Sequence, residues 1–342
     1  SLQKHLRDGW SIYNPELSEY ITIVPPQMRR GENWYGGTAD AIYQNLYLIE
    51  RSSAKYVLLL SADHIYRMDY LPLLEAHAQS GADMTVSYMD TSIADARNFG
   101  VLDLGEDGVV NGFAEKPQTP LPAPYDSSVA SCSMGVYVFS TEALSDIVTK
   151  DSVSTDSSHD FGKDIIPGLV EQGRLNAYRF GGEKGRVSAD NYWRDVGTID
   201  SYYESNYDLL KPIPPINLYQ RDWPIRTYTG QNPPARTAQG ESGNEGIFIN
   251  SIIAAGTVIS GASVQNSILF ENVYIDDEAT VYGAILFNGV KIGKRAQIGK
   301  CIIDKHVEVP DDEVIGFDLV KDRQRFEVSP EGVVVIPKGY RF

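Results

Sequence analysis

From residue 246 onward the sequence repeats itself, and no other feature limits the fold so tightly. Val258, Ile275, Ile292 and Val309 are spaced 17 apart, and so are Val264, Val281 and Ile298. The same step separates Ile268, Ile285 and Ile302, and again Val273, Val290 and Val307. A chain whose β-branched residues recur at one step builds one supersecondary unit per step and buries each unit's apolar side against the next. Within a step the apolar residues come at intervals of about six, the spacing of hexapeptide coils in a parallel β-helix. The reading places these columns inside the coils, with Val258, Ile275, Ile292 and Val309 as one inward stack over 246–342. Periodicity alone does not set the hand.

The residues ahead of the repeat follow another rule. "KYVLLLSADHIY" (55–66) is an apolar run ending in a polar cluster, the pattern of a buried parallel strand whose carboxyl end opens onto a site. "DYLPLLEAHAQSG" (69–81) reads as a helix closed by Gly81, and "DMTVSYMD" (83–90) as a further strand. Strand, helix and strand at this spacing predict α/β architecture. "FGVLDLGEDGVVNGFAEKP" (99–117) reads as a hairpin around Gly105–Gly108, and "SMGVYVFS" (133–140) as a buried strand. "GGEKG" (181–185) lacks the Walker spacing and reads as a surface loop. A segment rich in Pro, Gly and polar residues then separates the halves, so the expected division is 1–211, a linker over 212–245, and 246–342.

Charge excludes some partners. The 342 residues carry a formal net charge of -16, which argues against nucleic acid and anionic membrane surfaces. Cys132 and Cys301 have no metal-ligand spacing and read as buried thiols in a reducing compartment, the cytoplasm. No apolar run has the length of a membrane span.

Several short stretches can carry chemistry. "GENWYGGTADAIYQN" (31–45) sets Trp34 and Tyr35 against a glycine pair before a helix. It reads either as a turn capped by Thr38 or Asp40, or as an aromatic wall where backbone approaches a ligand closely. Asp63 follows a strand-like run; it can hold Mg²⁺, which takes one or two carboxylates plus substrate phosphates, or cap a helix. His64 beside it reads as structural. Lys116 ends a strand as part of "FAEKP", either as a point charge for a phosphate or as half of a solvated pair with Glu115. "SSHDFGKDIIP" (157–167) suits acid–base work or a capped helix start, with Gly162 permitting close packing. Asp195 in "YWRDVGT" (192–198) is either a metal ligand or a partner of Arg194.

Taken in order, "GENWYGGTADAIYQN", "ADHIYRMDY", "FGV", "FAEKP", "SMGVYVF", "SSHDFGKDIIP", "YWRDVGT" and "DWPIRTY" resemble the bacterial ADP-glucose pyrophosphorylases (glucose-1-phosphate adenylyltransferases) over nearly the whole chain. The resemblance implies a Rossmann-like nucleotidyltransferase domain followed by a left-handed parallel β-helix that serves oligomerisation and regulation. It implies ATP and glucose 1-phosphate as substrates, Mg²⁺ as cofactor, small-molecule effectors and a homotetramer. By resemblance Asp63 and Asp195 are the metal ligands, and Lys116 joins them as a catalytic residue. Tyr35, Gly100, Glu115, Lys116 and Ser133 line the sugar-phosphate pocket. Arg51 matches an effector arginine and Lys305 lies at an effector position, while Gly289 and Lys305 stand where some members carry Glu and Arg. The family's amino-terminal Gly-rich nucleotide loop has no counterpart in this sequence, whose first residue matches a point inside the catalytic domain. The alternative implied is a non-catalytic regulatory or fragmentary homologue that binds sugar phosphate or effector and assembles with a complete subunit. A β-helix acyltransferase would need a histidine base in the coils, and the repeat offers only His306.

Overall fold

The computed structural model describes residues 2–26, 34–182, 186–188 and 191–342. In chain order its first half contains α1 (Leu2–Gly9), α2 (Thr38–Gln44), α3 (Leu46–Arg51), β1 (Tyr56–Leu60), β2 (His64–Tyr66), α4 (Leu71–Ser80), β3 (Met84–Ser92) and β4 (Gly100–Leu104). There follow β5 (Val110–Glu115), β6 (Val129–Ser140), α5 (Thr141–Asp151), α6 (Ile166–Glu171), β7 (Leu175–Arg179), β8 (Trp193–Asp195) and α7 (Ile199–Asp208). Contacts divide the chain into two units. One holds Ile23–Ala62 and Tyr66–Tyr192, the other Ser1–Thr22, Asp63–Ile65 and Trp193–Phe342.

In the first unit a six-stranded sheet runs β5-β4-β6-β3-β7, with β1 also paired to β6. Its centre is β6, a twelve-residue strand in which Cys132, Met134, Val136, Val138 and Phe139 are all buried. Helix α4 begins with a proline in its first turn and ends at Gly81 in the left-handed region (φ 65°), as its sequence predicts. The β4–β5 hairpin also forms as read, with Gly105 N–H donating to the Val109 carbonyl. The sequence expectation for β1 needs correction. It pairs antiparallel with β6 and is only half-buried, where its aliphatic run suggests a buried parallel strand. Helices α4, α5 and α6 cover the sheet through Leu73, Leu144, Val148, Ile166 and Leu169, each at most 3% exposed.

In the second unit the repeat folds into a three-sided parallel β-helix. Each side is a sheet whose neighbouring strands come from successive coils. The inward residues on one side are Val264, Val281, Ile298 and Ile315, in direct register and at most 1% exposed. Burying each such side chain contributes roughly 1.5–3 kcal/mol. Val273, Val290 and Val307 are also inside.

Two of the expected columns differ. The inward stack holds Ile259, Ile275, Ile292 and Val309, because Ile259 and not Val258 pairs with Ile275. The first step of the coil is one residue shorter than the rest, so Val258 turns outward beside Tyr274. Residues Ile268, Ile285 and Ile302 keep their register but point outward, and Leu269, Leu286 and Ile303 fill the interior in their place. The outward set is buried all the same, since Ile285 and Ile302 pack under Tyr203 of α7. The Tyr203 hydroxyl donates to the Gly283 carbonyl at 2.7 Å and the Tyr207 hydroxyl to the Asn266 carbonyl at 2.6 Å. At the other end of the helix Ser329 Oγ donates to Asp200.

The coil corners explain residues that no apolar pattern predicts. Gly261, Glu278, Arg295 and Asp312 form one column of left-handed corner residues with φ between 59° and 62°. Arg295 and Asp312 join across successive coils through two bonds of 2.7 and 2.8 Å. The coil begins inside the segment read as linker: Arg236–Ala238 already pairs parallel with Val258–Ser260. Tyr228, ahead of it, stacks under the Lys4 ammonium at 4.4 Å.

Candidate active site

In the first unit the hairpin places Gly100 opposite Glu115. The Glu115 carboxylate lies against two glycines at once. A Cβ built on Gly100 would stand 2.9 Å from Glu115 Oε2, and one on Gly162 would stand 2.6 Å from it. Burial raises the Glu115 pKa and Asp160 adds to the rise, while Lys116 and Lys163 draw it back. Lys116 itself adopts φ 47°, a conformation that a non-glycine residue holds only when its surroundings enforce it. Its N–H donates to the Phe99 carbonyl at 3.0 Å.

Ser133 is buried on β6 and its hydroxyl donates to the Tyr137 hydroxyl at 3.4 Å. Burial pushes the Tyr137 phenol up to about 12, with the charges of Glu115 and Asp160 contributing. Sequence reasoning missed Tyr137. The available signal was its place on the strand that carries Ser133, across the left-handed Gly135 (φ 65°).

The 157–167 segment takes the capped form of its two readings. Asp160 Oδ1 accepts from Gly162 N–H at 2.9 Å and Lys163 N–H at 3.2 Å, capping the turn at Phe161–Ile165. His159 Nδ1 lies 2.7 Å from Asp151, a pair that holds the loop to the end of α5.

The Thr38 and Asp40 cap reading is corrected. Gly37 occupies the cap position of α2 with no side-chain bond to it, while Asp40 Oδ2 accepts from Gly36 N–H at 2.8 Å just ahead of the helix. Thr38 Oγ1 instead accepts from Phe161 N–H at 3.0 Å and donates to Asp160 at 3.2 Å. The close approach that the glycine pair permits is to the chain itself. A Cβ on Gly37 would meet the Ser158 carbonyl at 2.5 Å, and Ala39 N–H donates to His159 O at 2.8 Å. The Tyr35 hydroxyl accepts from Asn45 Nδ2 at 3.0 Å, and Trp34 is exposed. Gly31, Glu32 and Asn33 of that motif lie outside the described residues, as do Glu183, Lys184 and Gly185 of "GGEKG".

In the second unit β2 and β8 form a two-stranded ribbon. Val196 N–H donates to the Asp63 carbonyl at 3.0 Å, which sets Asp63 beside the strand end carrying Asp195. The Asp63 side chain is 61% exposed and no helix begins at it, which removes the cap reading. His64 packs edge-on against Trp193 at 5.0 Å, the structural role its context suggests. Asp195 Oδ1 accepts from Gly197 N–H at 2.8 Å. The ion pairs of Arg194 go to Glu204 and Asp208. Arg51 ends α3 on the surface of the first unit, and Lys305 of the second lies 6.0 Å from the Phe287 ring. Both cysteines are buried and unpaired. Among the described residues no helix is long and apolar enough to cross a membrane.

A mixed sheet carrying a half-buried carboxylate and a lysine, followed by a hexapeptide solenoid, is the layout of a sugar-phosphate nucleotidyltransferase. The chain matches the nucleotidyl transferase family over residues 1–212 and the GlmU-like C-terminal hexapeptide family over 233–336. The solenoid is accordingly a left-handed β-helix. Glucose-1-phosphate adenylyltransferase 2 of Vibrio vulnificus (strain CMCP6) is 59% identical over 100% of this chain and 85% of its own length. The enzyme of the same name from Vibrio parahaemolyticus is 56% identical over the same shares. Glucose-1-phosphate adenylyltransferase of Koribacter versatilis is 42% identical over 99% of this chain and 82% of its own. The chain belongs to the glucose-1-phosphate adenylyltransferase family.

Proposed function

We propose that this chain transfers the adenylyl group of ATP to α-D-glucose 1-phosphate, giving ADP-glucose and pyrophosphate for glycogen synthesis. The bond formed joins a sugar-phosphate oxygen to the α-phosphorus, and the bond broken is that from the α-phosphorus to the bridging oxygen of pyrophosphate. Such an in-line displacement needs positioning and charge neutralisation more than a protein nucleophile. Lys116 neutralises the sugar phosphate, and Glu115 accepts hydrogen bonds from sugar hydroxyls. Gly100, Ser133 and Tyr35 line the same pocket, and Arg51 and Lys305 take small-molecule effectors.

The observation that supports this chemistry is the bond between Val196 N–H and the Asp63 carbonyl, which sets two carboxylate-bearing strand ends side by side. Asp63 and Asp195 suit Mg²⁺: both are hard oxygen donors, and Asp63 is mostly exposed. Among the described residues no three His, Cys, Asp or Glu side chains are grouped to hold a metal, in keeping with an ion that takes the rest of its shell from substrate phosphates and water. When bound, Mg²⁺ supplies positive charge at the transferring phosphate. The protein's own part is to hold Asp63 and Asp195 in place. Measuring ADP-glucose formation tests the reading. Asp63→Asn should lower turnover by about a hundredfold or more with the fold retained. Near-normal turnover in that variant would remove Asp63 from the chemistry.

A further inference from the structure

Asp195 follows Arg194 on the short strand β8. On strand β8 successive side chains point to opposite faces, so whatever fixes Arg194 also fixes the direction of Asp195. Arg194 Nε donates to Asp208 Oδ2 at 2.9 Å and Nη1 to Glu204 Oε2 at 3.1 Å. Asp208 is 4% exposed and also pairs with Lys211 at 2.7 Å. Both acids belong to α7, one near its middle and one at its last residue. The same helix is bonded to the solenoid through Tyr203 to Gly283, Tyr207 to Asn266 and Asp200 to Ser329. Contacts place Asp63–Ile65 and Trp193 onward in one unit with the solenoid. An unbroken series of bonded groups therefore runs from the coil corners through α7 to Arg194.

We infer that Arg194 is a positioning residue for Asp195, and that α7 couples the placement of that carboxylate to the β-helix. The inference rests on the reading of Asp195 as a metal ligand. A guanidinium suits the task because its planar fork engages two carboxylates at fixed angles, whereas an ammonium is a point charge. The hydroxyl bonds of Tyr203 and Tyr207 end on backbone carbonyls at coil corners, so a change in corner geometry reaches α7 directly.

The test uses the full-length protein and Mn²⁺ as the probe, its binding followed by electron paramagnetic resonance with ATP present. Arg194→Lys should weaken Mn²⁺ binding about tenfold and raise the Mg²⁺ concentration for half-maximal activity, while the KM for glucose 1-phosphate stays within about twofold. Tyr207→Phe, which removes one hydroxyl and no charge, should shift Mn²⁺ binding in the same direction by about twofold or more. Adding Arg194→Lys to Asp195→Asn should weaken Mn²⁺ binding no further than Asp195→Asn alone. A merely structural Arg194 would lower the unfolding temperature and leave Mn²⁺ affinity unchanged; that outcome overturns the inference. Unchanged Mn²⁺ binding in Asp195→Asn would instead overturn the metal-ligand reading on which it rests.

Discussion

Gly162 and Glu115 are in contact so close that no side chain fits between them. A Cβ on Gly162 would lie 2.6 Å from Glu115 Oε2 and 3.0 Å from its Cδ. Replacing Gly162 by alanine must therefore move the carboxylate. If Glu115 reads sugar hydroxyls, Gly162→Ala should raise the KM for glucose 1-phosphate about tenfold, the effect of losing one charge-assisted hydrogen bond. The KM for ATP should stay nearly constant. Stability should change little, because the atoms in the way are the ends of flexible side chains. Steady-state kinetics with each substrate varied in turn separates the two effects.

Lys116 makes a second, independent statement about the same pocket. Lys116→Gln keeps the length of the side chain and removes its charge. Calorimetry should show glucose 1-phosphate binding weakened by roughly ten- to a hundredfold, since a bond to a charged group contributes about 1.5–3 kcal/mol. Equal affinity in parent and variant would take Lys116 out of the pocket.

The solenoid interior gives a prediction about stability alone. Ile292 is 1% exposed and lies between Ile275 and Val309. Ile292→Asp buries a carboxylate among aliphatic side chains with no partner, at a cost of several kcal/mol. Chemical denaturation should show the solenoid transition moved to much lower denaturant. Val258→Asp, one position outside the inward stack, should shift it far less.

A pH dependence follows from His77. Its ring is 1% exposed, with Nδ1 2.9 Å from Thr85 Oγ1 and Nε2 3.3 Å from Ser140 Oγ, and burial lowers its pKa. The folded state binds that proton less readily than the unfolded chain. As pH falls below the ordinary value of 6.5, the unfolded state gains protons first and stability drops until the lowered folded pKa is passed. Urea midpoints measured from pH 7.5 down to 5 should decline in the parent. His77→Gln should show a shallower decline over that window, and parallel slopes would exclude His77 as a cause.

Much of the solenoid was legible because its period leaves the chain few choices. The slip at Val258 had a simple origin: Val258 and Ile259 are both β-branched, and a pattern of apolar residues cannot say which one faces inward when the first step is shorter. The outward burial of Ile268, Ile285 and Ile302 was not legible either. An apolar column marks contact with something dry, and a helix laid on the outer face is as dry as the interior. In the candidate site the acidic and basic residues stand out by type and by motif, while their supports do not. Nothing in the composition of α7 says that Arg194 will find Asp208, or that two tyrosines will reach carbonyls far along the chain. The glycine pair before α2 misled for a related reason, since close backbone approach looks the same in sequence whether the neighbour is a ligand or the Ser158–His159 peptide.

The ladder of contacts along α7 also has a metrical side. Tyr203 and Tyr207, four residues apart, reach Gly283 and Asn266 on adjacent coils. One helical turn advances about 5.4 Å and one coil about 4.8 Å, so the two scales run nearly in step, like the divisions of a vernier. The mismatch of about 0.6 Å per division grows to about 1.8 Å over three turns. A helix of ten residues covers only about three such divisions. Sliding α7 by one coil would require the Tyr203 and Tyr207 bonds to break together.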